Sequence, residues 1–499
     1  MKAVKTFIFI LIVLVVSSSC SKNDHLAVIP SNAPLVLSID VASLTKKSDL
    51  MNTSIGGQLD ALLPLVFSDE AERQMKEYMQ SPEEMGIDFR EPIYIFRTLN
   101  GCLGITMKLH DKGDFEDFLS VFIKQNLASK AVERDKVKIG SFLDYAEYGY
   151  KGKTLLFVVP LGDGGSSVAK QTLSQLFNLQ KDDSFVNTEC FQKLSKLNGR
   201  DVSGYANMAA LPQDFAIRVK SLIPSGVRIT DVGLFSSLDF QKGKAVMTSQ
   251  IEGTNDKVEK ILDESNDNFH KIEGRYIDMP TDDFFLWGCI GAKGEWLLNK
   301  IKQDEQMKRT LFLMERGIDI EAMIKSVDGD LAVTLPNTVL MPYRKNTDFM
   351  ACGHLKSSKF LDDVDYWQKS MKEYGMTMEK TGKNEYLLSG QDFKINWGVN
   401  DDDLYIGSNA SYNLMANGKK SNLLKDYDKY IKESRAFVYI NLTPLFNKES
   451  AYSSSPFGFK MPYISKLKAL ICRFKSVNEL EFTVELTEND DNFLKELLN

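Results

Sequence analysis

Short motifs recur along this chain in one fixed order, so whatever the first half folds into, the second half must be able to fold into as well. Gly86-Ile87-Asp88-Phe89 returns as Gly317-Ile318-Asp319-Ile320. KLHDKGDFEDFL from Lys108 returns as HLKSSKFLDDV from His354. AEYGYKGKTLLFVV answers INWGVNDDDLYIGS, pairing Tyr148-Gly149 with Trp397-Gly398, and GYANM at Gly204 answers VYINL at Val438, pairing Asn207 with Asn441. The closing strands return as CRFKSVNELEFTVEL, and both halves end in Asn-Asp before a helix. At 499 residues the chain also exceeds what one core usually serves.

The local signals name the units. Asn100-Gly101 between PIYIFRTL and CLGITMKL is a hairpin signal. Phe115, Phe118, Leu119, Phe122 and Ile123 keep the spacing of one buried helix face. Lys151-Gly152-Lys153 turns a second hairpin; LAVIP and PLVLSIDVASL read as strand-like runs. The expected fold is therefore α+β, with two tandem, similar domains, each an antiparallel sheet of hairpins with helices packed on one face. The expected bounds are 28–270 and 277–499, with a polar junction around Glu264 to Ile277.

The N-terminus fixes an address. Lys2 and Lys5 precede an unbroken apolar run from Phe7 to Val16, too short to span a bilayer but suited to a secretory signal. Ser17, Ser18 and Ser19 then lead to Cys20. This resembles a bacterial lipoprotein signal over residues 1–19, with Ser17 where such signals usually carry Leu. The resemblance implies lipid attachment at Cys20, with palmitate among the acyl chains, a tether over 20–27 and a membrane contact made through that lipid. Two or three acyl chains hold a protein durably where one does not. Loss of the signal leaves 59 basic against 68 acidic residues, a net of minus 9, which argues against a nucleic-acid partner.

Several chemistries fall away. The other five cysteines, at 102, 190, 289, 352 and 472, have no Cys-x-x-Cys spacing, and three sit in strand-like runs as small hydrophobes. Ser167-x-x-Lys170, Ser476-Val477-Asn478 and Lys380-Thr381-Gly382 imitate a penicillin-recognising set but occur in the wrong order. The four histidines, 25, 110, 270 and 354, lack metal-site spacing; His110 and His354 fall near equivalent points of the two halves. Asp401-Asp402-Asp403 occupies a hairpin tip without the spaced ligands of a calcium loop. No cofactor, metal or catalytic set is expected, and enzymatic activity is the less favoured reading.

Loops that differ between the halves are where recognition is expected. PNTVLMPYRKNT places Tyr343 and Arg344 at a hairpin tip, and YSSSPFGFKMPY presents Phe457, Phe459 and Tyr463, residue types favoured at interfaces. The run CSKNDHLAVIPSNAPLVLSIDVASLTKKS resembles the start of an uncharacterised Bacteroides-type lipoprotein family of about 500 residues, a domain of unknown function. That resemblance implies lipidation and an outer-membrane location after general export, facing the periplasm or the surface; it transfers no active site. The leading expectation is a lipid-anchored, non-catalytic binding or assembly module with an unknown protein or glycan partner. The alternatives are an envelope hydrolase with a site at the domain junction and a glycan-capture lipoprotein.

Overall fold

Unbroken apolar strands such as Thr154–Pro160 need cover on both faces, and that requirement shapes the molecule. The computed structural model describes residues 24–162, 165–210, 226–282, 284–315, 317–337, 348–408, 419–446 and 464–498. Two compact units emerge: residues 1–258 together with 488–499, and residues 259–487. Antiparallel sheet and helices are present in both, an α+β architecture.

In the first unit the strands are β1 (Leu35–Ile39), β2 (Ile93–Arg97), β3 (Cys102–Lys108), β4 (Val132–Arg134), β5 (Val137–Phe142), β6 (Ala146–Lys151), β7 (Thr154–Pro160), β8 (Val202–Asn207), β9 (Val232–Gln241) and β10 (Lys244–Gly253). Their pairings, all antiparallel, run β4-β5-β6-β7-β3-β2-β1-β8-β9-β10. The second unit contains β11 (Phe284–Lys293), β12 (Val327–Pro336), β13 (Met350–Leu355), β14 (Thr377–Gly382), β15 (Glu385–Ser389), β16 (Lys394–Asn400), β17 (Asp403–Ser408), β18 (Ala436–Asn441), β19 (Leu467–Phe474) and β20 (Glu479–Leu486). These pair in the order β14-β15-β16-β17-β13-β12-β11-β18-β19-β20, the first unit's order with every strand ten places later.

Helices lie on both faces of the sheet rather than on one. In β7, Leu155 and Phe157 join a core with the Lys112–Lys124 helix, while Leu156 and Val158 join a second core with the Gly165–Phe177 helix. The second unit divides likewise: Trp367 of the Val364–Glu373 helix lies in one core and Ile431 of the Asp428–Lys432 helix in the other.

Three local expectations change. LAVIP is not a strand: Leu26 and Ile29 are buried beneath the sheet, with the chain turning through a short helical turn at Asp24–Leu26. His25 and Leu26, within the segment expected to be tether, are thus already packed. PLVLSIDVASL divides into β1 and the helix Val41–Ser48, because Asp40 caps that helix by accepting the Ser43 N–H at 2.8 Å. Finally, the chain end Glu488–Asn499, read with the second half, belongs to the first unit, where Phe493 is buried.

Candidate functional site

The first unit's helix-on-sheet layer is incompletely filled. Asp111 starts the Lys112–Lys124 helix by accepting the N–H groups of Gly113 and Asp114 at 2.6 and 3.1 Å, and helical spacing then turns Phe115, Phe118, Leu119 and Phe122 toward the sheet. Alternation puts Ile105, Met107, Phe157 and Val159 on the facing side. Between the two lies a cavity of about 110 Å³, lined also by Phe142, Leu143, Tyr145 and Ala146 of the β5–β6 hairpin and by Met85, Ile87 and Phe89.

Its walls are braced by rings. Phe118 and Phe122 meet edge to face at 5.2 Å, as do Phe142 and Phe157 at 5.7 Å, and Phe122 lies tilted against Phe142 at 5.3 Å. Such contacts resist collapse into the gap. Among the described residues, no charged side chain lines it. An apolar cavity of about 150 Å³ stays dry and accepts benzene, so a space of this size holds a group of a few carbon atoms.

Backbone strain sits beside the chamber. Leu143 has a φ of 54° and Asp144 one of 60°, a turn geometry that suits Asn-Gly and costs a branched side chain about 1–2 kcal/mol. The Leu143 N–H holds the Leu127 carbonyl at 2.8 Å, and its side chain lines the chamber. Strain of this kind gathers at ligand clamps.

Polar groups gather elsewhere and serve the scaffold. In the second unit, Asp403 Oδ1 accepts the Tyr276 hydroxyl at 2.7 Å and lies 3.2 Å from His354 Nδ1. His270 Nε2 lies 2.9 Å from Asp328, and fully buried Asp330 accepts the backbone N–H groups of Glu273, Gly274 and Arg275 at 2.9 to 3.0 Å. Burial, and then the Asp403 carboxylate, push the Tyr276 hydroxyl far above its ordinary pKa, so it remains a donor. These bonds fasten the segment entering the unit to its strands. Strand pairing aligns His354 with Lys108 rather than with His110: Lys108 faces Thr154 as His354 faces Asp403. His110 is exposed, and its N–H binds the Gly86 carbonyl at 2.8 Å.

All five described cysteines are free. Burial pushes the thiols of Cys190, Cys289, Cys352 and Cys472 up, that of Cys352 to about 12, which makes them poor nucleophiles. Asp401 sits at the expected hairpin tip with a φ of 51°. Cys20, Tyr343, Arg344, Phe457, Phe459 and Tyr463 lie outside the described residues. Among the described residues, none of the histidines, cysteines or hairpin-tip aspartates weighed for chemistry lines the chamber, whose phenylalanines read in sequence as ordinary core.

Comparison with solved structures finds TP0453 in several crystal forms. Form IV is 10% identical, with a TM-score of 0.27 over 46% of this chain and 80% of that one; form I is 12% identical, with a TM-score of 0.28 over 49% and 87%. No curated protein matches. One family model spans residues 25–447, most of both units, and the chain therefore belongs to the family described as a domain of unknown function, DUF4836.

Proposed function

We propose that this is a non-catalytic binding module, held at the bacterial outer membrane by acyl chains on Cys20 after export, whose first unit takes an apolar group into the chamber under the Lys112–Lys124 helix. The observation that carries the reading is the chamber itself: a ring-braced space of about 110 Å³ with no charged side chain among the described residues of its lining. Pockets with this lining are the usual seats of apolar ligands. The raised thiols weigh against cysteine chemistry. Glycan capture stacks sugars on exposed Trp and Tyr, and the indoles are withdrawn: Trp287, Trp367 and Trp397 are 0 to 3% exposed and Trp296 packs edge-on against Phe269 at 4.4 Å.

The test is binding of N-phenyl-1-naphthylamine, a dye that brightens in apolar surroundings, to the soluble chain carrying Cys20→Ser. Saturable brightening that Phe122→Asp abolishes, with Trp fluorescence of the second unit unchanged, is expected. Brightening that survives that substitution would place the dye elsewhere and refute the reading.

A further inference from the structure

Resting on that reading, we infer that the group the chamber takes is the end of an unbranched acyl chain, entering methyl first and leaving its polar head in water. Among the described residues the lining offers a carboxylate or phosphate no charged partner, and burying such a head unpaired costs far more than the chamber's contacts return.

The apolar surface continues outward from the chamber. Leu103 and Val159 are direct cross-strand partners, both half-buried, on the face that carries Ile105 and Phe157. The Leu161 N–H extends the ladder to the Gly101 carbonyl at 3.0 Å, so alternation places Leu161 on the same face, where it is 57% exposed. Leu99, 70% exposed, lies at the neighbouring β2–β3 turn. A compact ring would fill the chamber and leave this track bare; a chain of methylenes would cover both. Each methylene laid on it is removed from water. Strained Leu143 stands in the chamber's wall beside Ala146.

In the second unit the same layer is filled differently. Trp397 stands where Tyr148 stands in the first unit, 6.1 Å from Trp367 and 4.6 Å from Tyr386. The two halves thus share a strand order but carry different rings at this position.

The experiment titrates the Cys20→Ser chain with a fluorescent C18 polyene fatty acid and competes it with palmitate and, separately, with toluene. Saturable binding displaced by palmitate is expected. Ala146→Phe, which fills the chamber, should weaken the probe at least tenfold, and Leu161→Glu, at an exposed position that folding tolerates, should weaken palmitate at least threefold without changing toluene. Toluene binding without palmitate binding overturns the acyl inference and leaves the proposed function standing. Binding of neither overturns both. Equal palmitate affinity in Leu161→Glu overturns the inference even if Ala146→Phe fails to fold. The source of the chain is read from the acylated protein in detergent. If it no longer takes the probe, its own anchor is the occupant; if it takes the probe as Cys20→Ser does, and phosphatidylethanolamine vesicles compete, the occupant is a membrane lipid.

Discussion

The Asn492 side chain donates a hydrogen bond of 2.9 Å to the Phe240 carbonyl, joining residues 252 positions apart within the first unit. Phe493 beside it stacks on the Phe240 ring at 6.2 Å, and Lys495 lies 3.7 Å from Asp49. The end of the chain is thus part of the fold of its beginning. Phe493→Ala should cost the first unit about 2–4 kcal/mol, since a buried ring is lost. All four tryptophans lie between 287 and 397, so their fluorescence reports the second unit alone. Urea melts should show the loss in hydrogen exchange of β9 and β10 and not in the tryptophan transition.

Asp201, 1% exposed, anchors the same corner, beneath Phe240. It lies 2.8 Å from Lys47 Nζ and accepts the Ser43 hydroxyl and the Phe240 N–H, each at 2.6 Å. Asp201→Ala leaves the ammonium and two donors short of a partner and should cost about 3 kcal/mol. Chemical denaturation of the single variant checks this; a loss under 1 kcal/mol would mean that Asp239, 2.7 Å from the same Nζ, suffices alone.

Acid should loosen the N-terminal segment through His25. The ring is 2% exposed, neither nitrogen has a hydrogen-bond partner among the described residues, and burial, then the Lys108 ammonium, lower its pKa to about 4, against an opposing pull from Asp88 and Asp24. Above pH 6.5 the imidazole is neutral in folded and unfolded chains alike and contributes nothing. Below it the unfolded chain binds a proton that the folded one refuses, so stability falls by up to about 3 kcal/mol until about pH 4. His25→Leu should remove this slope between pH 6.5 and 4.5, as measured by hydrogen exchange of β3 and β7.

The recurring Gly-Ile-Asp motif should tolerate change unequally. Gly86 has a φ of 69°, and a Cβ there would meet the Asp111 carbonyl oxygen at 2.3 Å and the Phe115 nitrogen at 2.4 Å, both immovable backbone. At Gly317 the nearest atom is the flexible Met371 Cε at 2.7 Å. Gly86→Ala should cost about 2 kcal/mol or more, and Gly317→Ala about half that or less. Thermal melts of the two variants compare them directly.

Much of the scaffold was legible because local chemistry decides it. Asn100-Gly101 and Lys151-Gly152-Lys153 turn where expected, with φ of 81° at Gly101 and 57° at Gly152, and the Phe115-to-Phe122 stripe forms its helix. Asn207 and Asn441, paired by motif, both cap the following turn, accepting the N–H groups of Ala209 and Thr443 at 2.9 and 3.2 Å. Cover on both faces was missed, although Leu155 to Val159 is apolar at every position rather than at alternate ones. The chamber was beyond reach: a helix stripe and a strand face state which residues point inward, not how far apart the layers stand. Its one trace in sequence is Phe142-Leu143-Asp144-Tyr145, a tight turn with leucine where asparagine or glycine fits.

The most direct test of the chamber is xenon. A crystal of the Cys20→Ser chain pressurised with the gas should show an atom between Phe118, Phe142 and Ala146, in a space that is dry without it. A chamber closed by inward side chains, or left empty while xenon fills other cavities of the same crystal, would contradict the account.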